Sequence, residues 1–410
     1  MSKELQTLPI GIQSFEMLRK RGHLYVDKTA RLVKLVEAGA WYFLSRPRRF
    51  GKSLTLSTLD ALFGGKAELF RGLAAEAWAA EQAKHPAPVL SLSMARGRST
   101  EGVRGFDISL YNDLMVLGRK QGLPMLRKDT EGALGAFKDV LEGLYDQSGP
   151  VVVLIDEYDK PILDKIGNLE AAEAMREALR AFYTVLKDYD QYLRFAFLTG
   201  VTKFSKVSIF SDLNNLRDLS LLSDYSAVCG ISQEELEADF KPEIAALAEN
   251  NSLTYEEALA KLKQRYDGYL FARKGKAMYN PFSLLNVFAS REFSSYWFAT
   301  GTPTFLVEYL KKAYYNIPDL DGNLKMNESG LEAYRADAIN PLPILFQSGY
   351  LTIKDYNDFS RLYRLGFPND EVRYGFLDNL LPAYTSIRTD KTGVSIWEFY
   401  EQIEAGDVDS

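Results

Sequence analysis

The residues best equipped for chemistry in this chain lie in two segments far apart in sequence. Leu44-Ser45-Arg46-Pro47-Arg48-Arg49-Phe50-Gly51-Lys52-Ser53 reads as a strand running into a Gly-Lys-Ser turn and then a helix. Val151-Val152-Val153-Leu154-Ile155-Asp156-Glu157 reads as a buried apolar strand ending in two carboxylates. Together they describe a site for ATP. Backbone N–H groups of the turn and the N-terminus of the following helix can surround phosphates, and Lys52 can reach the β and γ oxygens. The Ser53 hydroxyl can ligate magnesium, and Asp156 would hold that ion through water. Glu157 stands where a carboxylate can polarise the water that attacks the γ-phosphate.

The loop departs from the P-loop pattern G-x-x-x-x-G-K-[ST], which asks for glycine where this chain has Arg46 followed by Pro47. Proline fixes φ and removes one N–H from the cradle. The backbone donors are therefore expected from Phe50, Gly51, Lys52, Ser53 and Leu54. The guanidinium groups of Arg46, Arg48 and Arg49 are expected to compensate with bidentate contacts to phosphate. A lone Gly-Lys-Ser is a weak signal; the strand before it, the helix after it and the second strand give it weight. Without them the pair would be a basic surface turn and an unrelated buried strand with a solvated acidic end. Tyr42, Phe43 and Phe50 flank the loop, where one of them could pack against a base, although most of the 13% aromatic residues belong to cores.

The elements that must position these groups alternate between strand and helix. Candidate strands are Trp41–Ser45, Pro88–Ser93, Val151–Ile155 and Leu193–Thr199, separated by helical patterns at Ser53–Phe63, Asp107–Gln121, Thr130–Gln147 and Leu169–Lys187. This is the pattern of an α/β fold with a mainly parallel sheet covered on both faces. The acidic strand lies so far from the loop strand that another strand fits between them, the additional-strand, AAA-like plan of P-loop NTPases. In that plan the end of the Leu193–Thr199 strand faces the γ-phosphate, so Thr199 and Thr202 are candidates to sense hydrolysis or orient water. Both also suit a plain strand end and turn. The ATPase domain is expected over 1–215, with Ser208–Asn215 as a polar connector. A helical or winged-helix-like lid follows over 216–300, with capping boxes at Ser232/Glu235 and Thr254/Glu257 and a helix start at Asn280-Pro281. A small α+β region over 301–410 would hold a helix near Thr304–Tyr314, strands at Phe346–Lys354 and Leu362–Leu365, a turn at Gly366–Asp370 and a helix over Glu371–Leu381.

A family resemblance rests on these residues and on others. Pro9-Ile10-Gly11-Ile12-Gln13-Ser14-Phe15, Tyr25-Val26-Asp27-Lys28-Thr29, Arg46 to Ser53 and Leu154-Ile155-Asp156-Glu157-Tyr158-Asp159 resemble the bacterial AAA-ATPase-like family. The resemblance continues through Thr199-Gly200-Val201-Thr202-Lys203-Phe204-Ser205, Leu213-Asn214-Asn215-Leu216, Tyr266-Asp267-Gly268-Tyr269, Asn280-Pro281-Phe282-Ser283 and Leu345-Phe346-Gln347-Ser348-Gly349-Tyr350-Leu351-Thr352. It spans nearly the whole chain, and it implies that arginine in place of the loop's first glycine is the normal form. Members often carry a PD-(D/E)XK nuclease-like domain after the ATPase. Its aspartate and E-x-K strand are not found in the last hundred or so residues, which points to a truncated chain or a member without that domain. Lys391, in the turn-like Arg388-Thr389-Asp390-Lys391-Thr392-Gly393, is the last lysine.

Composition narrows the rest. The chain has 410 residues, 46% hydrophobic and 25% charged, enough for two or three domains with ordinary cores. A net charge of −6 argues against nucleic acid binding by the whole surface, and phosphate neutralisation explains Arg46, Arg48, Arg49 and Lys52 more simply than a DNA contact. Arg273, Lys274 and Lys276 read equally well as a solvated basic loop. The single cysteine, Cys229, excludes an internal disulfide framework, and two histidines, His23 and His85, make zinc chemistry a poor fit. No apolar stretch approaches the ~20 residues of a membrane span and no signal peptide is evident, so a cytoplasmic location is expected. The expected function is magnesium-dependent ATP binding and hydrolysis coupled to lid movement. The alternatives are a nucleotide-held switch or scaffold with negligible turnover, and a component of a DNA-processing system. Oligomerisation is compatible with either.

Overall fold

The computed structural model describes residues 5–96, 101–124, 132–165, 167–203, 215–297, 317–332 and 340–384. Its centre is a five-stranded parallel sheet built from β1 (Trp41–Ser45), β2 (Val89–Ser93), β3 (Val151–Asp156), β4 (Leu193–Gly200) and β5 (Arg217–Asp218), in the order β2-β3-β4-β1-β5. All five residues of Val151–Ile155 are 0% exposed, as a parallel strand covered on both faces requires. The covering helices are Lys52–Phe63, Gly102–Lys120, Gly132–Ser148 and Leu169–Asp188. Strand β4 sits between the loop strand β1 and the acidic strand β3, so the fold is an additional-strand P-loop NTPase. The short β5 pairs with β1 through Tyr42 and Phe43, which extends the sheet to Asp218.

The register brings three strand ends level. Ser45 on β1 lies opposite Gly200 on β4, and Ile155 on β3 lies opposite Leu198. The carboxyl ends of β1, β3 and β4 therefore open on one edge, where ligands of open parallel sheets bind.

Residues 231–290 form a helical unit with its own core around Leu236, Phe240, Ile244, Leu247 and Leu262. Its helices are Gln233–Asp239, Lys241–Asn250, Tyr255–Tyr266 and Pro281–Ser290, and a two-stranded hairpin of β6 (Tyr269–Leu270) and β7 (Ala277–Met278) precedes the last of them. Both capping boxes are formed, and Asn280 accepts hydrogen bonds from Phe282 and Ser283 N–H groups to start the last helix, with Pro281 in its first turn. Leu24 from the N-terminal segment joins this core, with Leu8 and Val26 packed against it.

The C-terminal region holds an antiparallel sheet of β8 (Leu324–Met326), β9 (Thr352–Asn357) and β10 (Leu362–Gly366), ordered β8-β10-β9. Its Leu345, Tyr350, Leu351, Ile353 and Phe376 belong to the same apolar cluster as the central parallel sheet. The strand expected over Phe346–Lys354 begins only at Thr352, because Leu342–Gln347 is a helix started by Pro341 and Pro343 and ended before Gly349. The expected helix near Thr304–Tyr314, nearly all of the connector at Ser208–Asn215 and the turn around Lys391 lie outside the described residues. Among the described residues no helix is long and apolar enough to cross a membrane.

Candidate functional site

The turn after β1 is set by backbone geometry. Gly51 takes φ 94°, the left-handed conformation that costs glycine least, and caps the Lys52–Phe63 helix, whose first residues Lys52, Ser53 and Leu54 line a cleft with it. Thr55 returns its hydroxyl to the Gly51 carbonyl at 3.1 Å. Lys52 is only 6% exposed, and its Nζ donates to the Arg46 and Pro47 carbonyls, both at 2.9 Å. Burial pulls the Lys52 ammonium below its usual pKa, against the opposing pull of Asp156 and Asp159.

On the facing strand, Asp156 is held from two sides. Ser53 Oγ donates to its Oδ2 at 2.5 Å and Thr199 Oγ1 to its Oδ1 at 2.7 Å. The chain then turns sharply: Glu157 has φ 50°, rare for a residue with a Cβ, and this breaks the strand alternation so that Glu157 lines the cleft. Burial first, and the Asp156 charge second, push the Glu157 carboxyl above its ordinary pKa.

The cleft holds about 410 Å³. Its lining is mixed, with Arg48, Arg49, Lys52, Ser53, Glu157 and Lys160 beside the apolar Pro9, Ile12, Leu163, Pro281, Phe282 and Leu285. The sheet, the N-terminal segment and the helix Pro281–Ser290 thus all contribute walls. Arg49 also takes a left-handed φ of 67° and lays its guanidinium 3.8 Å from the centroid of the Phe282 ring, joining the loop to the helix Pro281–Ser290.

Arg46 departs from expectation. It is 1% exposed, and its guanidinium donates to the carbonyls of Ser45 (2.8 Å), Ser220 (2.9 Å) and Tyr225 (3.3 Å) while lying 4.3 Å from the Phe271 ring centroid. Burial lowers its pKa to about 10, so it remains charged at neutral pH. It braces the back of the loop, with Nη1 and Nη2 committed to these carbonyls. The three aromatic candidates for a base contact are likewise interior: Tyr42, Phe43 and Phe50 are at most 1% exposed, and Phe50 packs edge-on against Tyr269 and Phe271. The Phe50 carbonyl accepts from Gly230 N–H at 3.1 Å. Arg48 and Arg49 stay exposed on the cleft, and Leu54 lines it.

The two threonines part company. Thr199 touches Asp156, whereas the Thr202 hydroxyl and N–H both serve the Asp159 carboxylate, at 2.7 and 2.6 Å. Asp159 is 1% exposed and also accepts from Val201 N–H at 3.0 Å. Burial pushes its carboxyl above the usual pKa although the Thr202 bonds pull the other way. Asp159 and Lys160, the N-terminal Pro9, Gly11, Ile12 and Gln13, and Phe282 are cleft residues to which sequence reasoning gave no role. For all of them but Lys160, the signal was their place in the resembling motifs.

With the geometry in place, the relatives can be set beside it. A family model described as AAA-ATPase-like, "Predicted AAA-ATPase", matches residues 9–210. The "Uncharacterized protein in vnfD 5'region" of Azotobacter chroococcum mcd 1 is 41% identical over 383 residues, 92% of this chain and 70% of that protein. Among solved structures, the chain is similar to the ORC2 protein of Aeropyrum pernix in its ADPNP–ADP complexes, at 14% identity and TM-score 0.32 over 88% of this chain and 93% of that one. The ADP form of the same protein gives 16% identity and TM-score 0.36 over 87% and 92%. A relative this similar along almost the whole chain, and a family model running from Pro9 past the end of β4, place the protein in the AAA-ATPase-like family of nucleotide-binding P-loop proteins.

Proposed function

We propose that this chain binds ATP with magnesium in the cleft, hydrolyses it, and couples turnover to movement of the lid around residues 216–300. The observation that carries the proposal is the 2.5 Å contact of Ser53 with Asp156, which sets two hard oxygen ligands side by side at the mouth of the Gly51 turn. Those oxygens fit magnesium, which would neutralise phosphate charge when bound there. Lys52, Arg48 and Arg49 supply positive charge to the phosphates, and the N–H groups of the Gly51 turn supply donors. The apolar lining residues Pro9, Ile12, Phe282 and Leu285 offer the base its contacts.

Glu157 is the general base of this reading. It takes the proton of a water that bonds to the γ-phosphorus as the bond to the β–γ bridging oxygen breaks, leaving ADP and phosphate. Thr199 fixes the neighbouring Asp156 carboxylate. Coupling to the lid runs through Arg49: the same guanidinium that rests on Phe282 faces the phosphates, so charge at the cleft competes with the ring for it. The test is ATP affinity measured with and without magnesium. Wild type should bind more tightly with the ion and Asp156→Asn should lose that difference; an Asp156→Asn protein with the full magnesium effect would contradict the site.

A further inference from the structure

The segment Leu345 to Thr352 was singled out by resemblance and given no role, yet it reaches both halves of the nucleotide site from the far end of the chain. Gln347, 6% exposed, accepts from Lys203 N–H at 2.8 Å and donates through Nε2 to the Leu331 carbonyl at 2.8 Å. Lys203 belongs to the chain leaving β4, directly after Thr202, which is locked to Asp159. Gly349 takes φ 90°, and a Cβ in its place would lie 2.7 Å from Pro47 of the loop. Tyr350 packs on Trp297, ring centroids 5.3 Å apart, and the Trp297 indole donates to the Arg48 carbonyl at 3.1 Å. The Thr352 hydroxyl accepts from Leu270 N–H at 2.7 Å and donates to the Leu270 carbonyl at 3.2 Å, beside the Phe271 ring that lies under Arg46.

We propose that Gln347–Thr352 is a positioning segment of the nucleotide site. Gln347 fixes the strand exit that carries Thr199, and Gly349 fixes the loop that carries Lys52. The single residue between them sets one against the other. This explains how a loop with Arg46-Pro47 in place of a flexible glycine keeps its shape: it is clamped from behind by residues some three hundred positions away. The inference rests on the ATPase reading of the cleft.

The two contacts act on different parts of the reaction, so steady-state kinetics separate them. Gln347→Leu removes the acceptor for Lys203 N–H, and kcat should fall about tenfold or more with KM for ATP within about threefold of wild type. Gln347→Glu keeps that acceptor and should restore kcat to within about threefold. Gly349→Ala drives a Cβ into Pro47, and KM should rise about fivefold or more with a smaller change in kcat. A plain loss of stability would lower the melting temperature of all three without this division. The proposal is overturned by wild-type kcat in folded Gln347→Leu, by equal impairment of Gln347→Leu and Gln347→Glu, or by wild-type KM in Gly349→Ala. Should Gln347→Leu fail to fold, the Gly349→Ala arm decides. A wild type whose melting temperature does not respond to magnesium-ATP would instead overturn the ATP reading, and this proposal with it.

Discussion

Ser53 and Asp156 meet across the open edge of the sheet, the hydroxyl at the start of one helix donating to the carboxylate at the end of β3 at 2.5 Å. The contact exists because β4 separates β1 from β3 and the parallel register brings their ends level. Five consequences can be measured.

Lys52 sits inside the turn, buried and held by two loop carbonyls. Lys52→Ala should abolish the magnesium-dependent stabilisation by ATP, which for wild type at a hundred times Kd amounts to about 2.7 kcal/mol. A mutant with the wild-type melting shift would contradict the loop's role in binding phosphate.

Arg46 is a brace in this structure. Arg46→Ala strips three buried carbonyls of their donor and should cost about 3 kcal/mol or more in denaturant unfolding, and Arg46→Lys should recover little because one ammonium cannot replace the fork. An Arg46→Ala protein of wild-type stability with weakened ATP affinity would return Arg46 to the phosphates.

The two threonines should separate in kinetics. Thr199→Val frees the Asp156 carboxylate and should lower kcat about tenfold or more, whereas Thr202→Val loses a bond to buried Asp159 and should cost about 1–3 kcal/mol of stability with a smaller effect on rate. The reverse pattern in paired kinetic and unfolding measurements would exchange their roles.

Glu157 carries a pH signature. Burial and Asp156 raise its carboxyl above the ordinary 4.5 in the free protein, and a base works ionised, so kcat/KM should fall as pH drops through the raised value, with the acid limb above 4.5. Stability takes the opposite sign: a carboxyl with a raised folded pKa binds its proton more tightly when folded, so its contribution is largest at low pH and declines as pH rises above 4.5. An acid limb of kcat/KM at or below 4.5 would contradict Glu157 as the titrating base.

Much of this arrangement is legible in the sequence, and the reason is local. Val151–Ile155, rich in β-branched residues and ending in two carboxylates, favours a strand covered on both faces, and Gly51-Lys52-Ser53 between a strand and an apolar helix has few other uses. The ladder β1, β2, β3 and β4 and the capping boxes follow from the same short-range rules. Arg46 shows where those rules stop. Its type and position suggest phosphate, and only the approach of Ser220, Tyr225 and Phe271, all contributed from beyond β4, turns it inward. Phe50 is drawn into the interior in the same way by Tyr269 and Phe271. The helix at Leu342–Gln347 is hidden because an apolar run that short fits helix and strand periods alike. The cleft walls from Pro9–Gln13 and Phe282 depend on chain folding across hundreds of residues, which no local pattern encodes.

The most direct measurement is phosphate release from ATP and magnesium by wild type and by Glu157→Gln, with ATP affinity determined for both. The left-handed turn at Glu157 parts it from Asp156, so removing the base should leave affinity near wild type while phosphate release falls roughly 10²-fold or more. Equal release by the two proteins would contradict Glu157 as the base, and release by both no faster than in buffer would replace the ATPase by a nucleotide-held switch.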